Sequence, residues 1–389
     1  MRAGMQRLLE LLREQPPPPC VAESEWLDAL AIADEENLLP LLAARLSAFE
    51  DQLPPSVSAP LAEVRRTAQQ EAFLCSATLK HMLSAFHERG IPVISLKGPW
   101  LAERLYGDAA LRSYSDLDLL VRPRDWAACE HLMSELGFSP CVRSDDRHRS
   151  WRRAGFKVEA HFRLANPLDF DVDTGGIWNR AQLSEFRGVP AWLLAPSDEL
   201  LFLCLHAVYH CFERLRLVVE LSSAFRQLPL PNVAACGQRG SELESVLALS
   251  RLLVRRFEGY PSLTEPPAAW LNAIPRLERV ADRIWQRCLL HQAAPTEWQT
   301  SHRLYLAMEA RAWPRFLRRI RHSRNLLTRF IDADFELAAR FHLRRNWQVW
   351  ILRQFRLLPK VARLSLSRLR EHRQSLLADS ANANLNSLP

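Results

Sequence analysis

The chain has 389 residues, 48% hydrophobic and 24% charged, which excludes a disordered or low-complexity protein and leaves room for two or three domains. Its net charge of +7 is uneven: residues 301–389 hold 17 Arg and one Lys against six acids, or +12, so residues 1–300 sum to −5. Eight scattered cysteines with no CxxC pair read as buried reduced thiols, and no signal peptide or membrane-spanning stretch is visible, so a cytoplasmic location is expected.

In chain order, residues 1–15 alternate charge with Leu and predict an amphipathic helix ended by Pro16–Pro19. Residues 24–48 predict one or two more helices, followed by a break at Pro54, Pro55 and Pro60. Leu61 to Arg89, free of Gly and Pro, predicts a long helix stopped by Gly90. Pro92–Leu96 reads as a short strand delivering Lys97 and Gly98. Pro99 then suits the first turn of a new helix, whose free N–H groups and positive dipole end form a natural seat for phosphate oxygens.

The stretch Ser113–Val121 reads as a buried strand with acid on one face. Side chains two apart on a strand point the same way, which puts the Asp116 and Asp118 carboxylates roughly 6–7 Å apart along the backbone. Of two like charges held that close, one should protonate unless a cation sits between them, and hard oxygens favour Mg2+ or Mn2+ over zinc. Arg112, four residues before Asp116, is placed to clamp an anionic ligand bidentately or to neutralise the acids.

Residues 124–136 predict a helix with Trp126, Leu132 and Leu136 inward, closed by Gly137. Phe138–Val142, Arg149–Arg153 and Phe156–Leu164 read as antiparallel strands. In the last of these Lys157, Glu159, His161 and Arg163 share a face, which is either a solvated edge or, beside the Asp116/Asp118 strand, the source of a third carboxylate. Glu159 would then stand ready to accept a proton from an attacking hydroxyl.

From Pro196 the chain turns helical, with Ser197 the expected N-cap and Asp198 and Glu199 in the first turn. Spacings of four and three put His206, His210 and Glu213 on one helix face, as a polar seam lining a cleft or a zinc triad. Residues 240–292 continue as helices with a break at 261–267. Residues 300–377 read as Arg-rich amphipathic helices: a bundle with a solvated basic face, or a surface for nucleic acid or anionic lipid through 311–370. The last eleven residues, 379–389, read as loose.

Leu96-Lys97-Gly98, a helix, Tyr106, Arg112, Asp116-Leu-Asp118-Leu-Leu-Val and Glu159-Ala-His161 together resemble the DNA polymerase beta-like nucleotidyltransferase superfamily, and more narrowly its uncharacterised nucleotidyltransferase branch, over roughly residues 60 to 225. The resemblance implies an α+β fold: a small mixed β-sheet nucleotidyltransferase core flanked by N-terminal helices and a large C-terminal helical region. The expected division is 1–75 N-terminal helices, 76–195 catalytic core, 196–300 a helical domain completing the cleft, 301–378 the Arg-rich helices and 379–389 a tail.

The resemblance further implies a metal-dependent transfer of NMP from an NTP, with ATP favoured, to a hydroxyl on a small molecule, peptide or protein. Asp116, Asp118 and Glu159 would be the catalytic and Mg2+ (or Mn2+) ligands. Lys97, Gly98 and Arg112 would bind the nucleotide, and His161, His206 and His210 are candidate substrate contacts. Against the pattern that the resemblance implies, the sequence departs in four ways: Asp116 comes 18 positions after Gly98, Lys-Gly stands where Gly-Ser or Gly-Gly is usual, the third acid is Glu159 rather than Asp, and Glu220 stands where Asp is common. The competing expectation is a catalytically inactive relative that binds partners through its basic C-terminal helices.

Overall fold

The computed structural model describes residues 3–15, 21–144, 148–165, 170–237, 240–259 and 274–290. The Arg-rich stretch 311–370 and the tail 379–389 lie outside the described residues. Three helices open the chain, α1 (Ala3–Leu12), α2 (Glu23–Glu35) and α3 (Leu39–Leu46), each burying an apolar face: Met5 and four leucines in α1, Trp26, Ala29, Ile32 and Ala33 in α2, and Leu41, Leu42, Ala43 and Leu46 in α3. A long α4 (Pro55–Glu88) follows and ends at Gly90, whose φ of 64° only glycine adopts without strain.

The break expected at Pro60 does not occur, since α4 begins five residues earlier, at Pro55, and runs through it. Proline there removes one intrahelical hydrogen bond. The cost is offset by Val57 and Leu61, which flank it at 0% and 1% exposure and fasten the helix to the core on both sides.

The sheet has seven strands: β1 (Val93–Ser95), β2 (Leu117–Val121), β3 (Ser139–Ser144), β4 (His148–Arg153), β5 (Phe156–His161), β6 (Gln182–Phe186) and β7 (Val189–Leu193), in the order β3-β4-β5-β2-β1-β7-β6. It is mixed: β2 runs parallel to β5 and β1 parallel to β7, and the other pairs are antiparallel. The fold is therefore α+β, as expected, but with two strands more than the sequence reading assigned. Those two form a hairpin whose turn residues, Arg187 and Gly188, both have positive φ (49° and 85°), the twist that two-residue hairpins require.

Strand alternation divides the sheet into two working faces. Leu117, Leu119 and Val121 of β2, with Val158 and Ala160 of β5, pack under Leu79, Met82, Leu83 and Phe86 of α4 and under Cys129, Leu132 and Met133 of α6 (Trp126–Glu135). Ile94, Leu96 and Leu120 face the opposite way, into a core shared with α1–α3 and with α8 (Pro196–Tyr209), α9 (Leu215–Gln227), α10 (Gly240–Glu258) and α11 (Ile274–Leu289). Two short helices complete the set, α5 (Pro99–Tyr106) and α7 (Thr174–Arg180).

Two local expectations at α8 are corrected. Pro196 occupies the first turn and Ala195 the cap, with no side-chain cap, so Ser197 is not the N-cap. Helix α8 stops at Tyr209, and Cys211 and Phe212 take left-handed backbone (φ 52° and 49°). Glu213 thus reaches His210 around a turn rather than along a helix face, with Nδ1 and Oε1 3.1 Å apart.

Candidate active site

The β2–β5 register builds the site in rungs. Asp118 pairs with Glu159 and Leu120 with His161, and across β4 Ser150 meets Glu159 while His148 meets His161. Cross-strand partners share a face, so Asp118, Glu159, His161 and His148 all stand on the side opposite the α4/α6 core. Asp116 lies just before β2 on the same side. One oxygen each from Asp116, Asp118 and Glu159 falls within 4.8 Å of the others.

Basic side chains already hold these acids. Lys97 Nζ lies 2.7 Å from Asp118 Oδ2, and His161 Nε2 lies 2.9 Å from Asp118 Oδ1. Lys157 pairs with Glu159 Oε1 and reaches within 3.9 Å of Asp116 Oδ2, while Ser150 Oγ donates to the same Glu159 Oε1 at 3.2 Å. Burial opposes ionisation of Asp118, yet the Lys97 ammonium and His161 hold it well below the usual carboxylate range. For Glu159 burial is likewise outweighed, by His148 and Lys157, and its pKa falls. Asp116 goes the other way: burial and the neighbouring Asp118 charge push it up, so it is the acid of the three with the greatest need of an added cation.

The donor set fits a hard divalent ion, since all three groups are carboxylate oxygens converging on one point. Two ammonium groups against three carboxylates leave a single negative charge on these five side chains. That is little attraction for a bare dication, and far more when a polyanionic ligand arrives with it.

Asp116 sits between two cavities. One, of about 230 Å³, is lined by Lys97, Arg112, Arg214, Arg216, His206 and His210 among others, and is strongly basic. Arg112 and Glu220 are both buried there, Nε donating to Oε1 at 3.0 Å, and Arg216 lies 3.5 Å from the same oxygen. His206, presented by α8, has both ring nitrogens 3.4 Å from Lys97 Nζ; burial and that ammonium hold it well below its ordinary pKa, in the neutral form. The second cavity, of about 190 Å³, is more apolar, with Leu74, Tyr114, Leu117 and Phe156 in its wall. A larger cavity of about 1050 Å³ lies around Arg122 and Trp178, beyond the far end of β2, and touches none of the three acids.

Gly98 carries φ 89° between Lys97 and the start of α5, and a Cβ there would come within 3.1 Å of Leu117 Cδ2. Glycine thus lets the Lys-Gly bend lie against the carboxylate strand. All nine residues singled out from the sequence lie in or beside this region, although Arg112 is engaged with Glu220 and Lys97 with an acid. Sequence reasoning gave no role to Lys157, Ser150, His148 or Arg216. Lys157 was legible as a member of the polar face of β5, whereas Arg216 arrives from a helix a hundred residues downstream, which no local spacing reveals.

Among the described residues, the groups that converge closely enough for a metal are Asp116/Asp118/Glu159 and His148/Glu159/His161; His206, His210 and Glu213 do not form such a group.

A family model described as uncharacterised nucleotidyltransferase matches residues 22–256. The solution structure of the antibiotic-resistance factor ANT(2'')-Ia is 16% identical, covering 45% of this chain and 90% of that one, with a TM-score of 0.32. The crystal structure of ANT(2'')-Ia in complex with adenylyl-2''-tobramycin is 15% identical, covering 45% of this chain and 95% of that one, with a TM-score of 0.31. No curated protein sequence matches the chain.

Proposed function

Because the chain belongs to the uncharacterised nucleotidyltransferase family, we propose that it transfers the NMP of an NTP, ATP first among them, to a hydroxyl of a small-molecule, peptide or protein acceptor. The observation that carries this reading is the convergence of Asp116, Asp118 and Glu159 beside a basic cavity whose wall includes Asp116. The oxygen–phosphorus bond to the acceptor forms as the bond from the α-phosphorus to pyrophosphate breaks.

Asp116, Asp118 and Glu159 would hold Mg2+ or Mn2+, which when bound supplies charge neutralisation at the α-phosphate and at the leaving pyrophosphate. The chain's own residues do the rest. Lys97, Arg214 and Arg216 line the cavity that takes the triphosphate tail, and their fixed positive charges stabilise the negative charge that grows on pyrophosphate. Arg112, locked by Glu220, contributes its field and holds Arg216 in place through the shared carboxylate. Gly98 lets its backbone N–H and the first turn of α5 approach the phosphates.

Glu159, ionised at neutral pH, takes the acceptor's proton; His161 fixes Asp118 from the neighbouring rung. His206 and His210 border the same cavity as substrate contacts. The cavity of about 190 Å³ on the other side of Asp116 falls short of the roughly 300–1,000 Å³ of a drug-sized site, so it suits one ring or aliphatic group of the acceptor. The cysteines among the described residues are free thiols, as a reducing compartment permits, and we place the reaction in the cytoplasm.

The test is incubation of the purified chain with each α-labelled NTP, Mg2+ and cell extract, followed by identification of the labelled product. Label transferred to an acceptor with stoichiometric pyrophosphate supports the reading. Nucleotide binding without pyrophosphate release under any acceptor mixture overturns it.

A further inference from the structure

Glu159 belongs to two clusters at once, and the second contains no other acid. His148, Glu159 and His161 each offer a ligand atom within 4.8 Å of the other two. His148 Nε2 lies 3.5 Å from Glu159 Oε2, and His161 Nε2 lies 3.7 Å from that same oxygen. Bonds of about 2.0–2.1 Å at the tetrahedral angle place neighbouring zinc ligands about 3.3 Å apart, so two edges of such a site already stand within half an ångström of their final length.

The carboxylate is oriented for this. Lys157 and Ser150 both engage Oε1, which leaves Oε2 turned to the two imidazoles. The backbone supports the same arrangement: His148 and His161 are register partners on β4 and β5, with ring centroids 4.8 Å apart, and Glu159 stands two residues from His161 on the same face. Two imidazole nitrogens and one carboxylate oxygen form a borderline donor set, which prefers zinc-class ions and discriminates against magnesium.

We propose that His148, Glu159 and His161 form a binding site for a divalent first-row transition ion of the zinc class, separate from the all-carboxylate cluster but sharing Glu159 with it. An ion seated there draws Glu159 Oε2 to itself and takes the imidazole of His161 away from Asp118. Zinc would therefore inhibit nucleotidyl transfer in the presence of saturating Mg2+. This inhibitory consequence rests on the role proposed above for Glu159; the binding site does not.

The test is isothermal titration of the full chain with Zn2+ in the presence of excess Mg2+, repeated with Co2+ while recording its visible spectrum. The expected result is about one equivalent bound, with the intense absorption of tetrahedral cobalt and no thiolate band, and an affinity that falls by about tenfold or more in His148→Ala. His148→Gln serves as a second variant should the alanine protein fail to fold. Zinc affinity unchanged in both variants, a thiolate band with cobalt, or full competition by Mg2+ would overturn the site. Zinc binding that depends on His148 but leaves transfer uninhibited would uphold the site and remove Glu159 from the reaction, which separates the two readings.

Discussion

Lys97 Nζ and Asp118 Oδ2 stand 2.7 Å apart with both side chains almost wholly buried, at 7% and 3% exposure. The lysine that the sequence assigned to phosphate is thus the counter-ion of an acid assigned to metal. A single ammonium can serve both in turn: it neutralises Asp118 in this structure and would turn to the triphosphate if a dication took its place beside the carboxylate. Mg2+ alone should therefore bind the carboxylate cluster poorly, and binding should tighten sharply with ATP or a non-hydrolysable analogue. Lys97→Met should raise the affinity for Mg2+ without nucleotide yet lower turnover by about 10²-fold, because the charge facing the leaving group is lost. Titration calorimetry of both proteins decides it; equal Mg2+ affinity with and without nucleotide would end the exchange model.

The two aspartates call for different substitutions. Asp116 is partly exposed, so Asp116→Ala should abolish transfer with the fold intact by circular dichroism. Asp118→Ala would strand the buried Lys97 ammonium, and breaking a buried pair by removing one partner costs about 3–5 kcal/mol. Asp118→Asn keeps the shape and an oxygen for Lys97, and is the fair test of chemistry. It should fall by at least about 10³-fold in turnover. Near-normal incorporation by either the Asp116→Ala or the Asp118→Asn protein would remove the carboxylates from the mechanism.

The rung Asp118–Glu159 explains why this site was readable at all. Period-two alternation in Leu117–Val121 and Phe156–His161 dictates which side chains share a face within each strand. What alternation cannot fix is which strands become neighbours. The parallel pairing of β2 with β5 brings Asp118 within reach of His161, 43 residues away, and β4 adds His148 through an antiparallel register that begins one residue earlier than the sequence suggested. The hairpin at Arg187-Gly188 was missed because its turn lacks the Asn-Gly or Asp-Gly signal and its outer strand is mostly solvent-exposed, with little apolar alternation. Pro60 misled for a related reason: local rules mark a break, and two buried neighbours override it.

The Arg112–Glu220 pair supports a prediction about stability. Glu220 is buried, and the Arg112 guanidinium, with Arg216, keeps its carboxyl below the usual range despite burial. Glu220→Ala would leave two guanidinium groups in a cavity wall with no anion between them. It should destabilise the chain by about 3–5 kcal/mol in urea denaturation. Glu220→Asp should lose much less, because the charge remains. A Glu220→Ala protein as stable as the wild type would mean that Arg112 and Arg216 are held by other contacts.

The His206 imidazole ties the fold to pH. Burial first, and Lys97 second, hold its native pKa well below 6.5, while in the unfolded chain it titrates near that value. Between the two values the unfolded state binds the extra proton, so stability rises with pH across that window, is fully present above about 6.5 and is lost as the solution turns acid. The slope from one such proton is at most about 1.4 kcal/mol per pH unit. His206→Gln cannot titrate there, so the stability difference, wild type minus variant, should shrink steadily as pH falls from 7.5 to 5. Urea midpoints of the two proteins measured across that range check it, and a difference that stays constant would show that the His206 ring takes up its proton equally well in the folded chain.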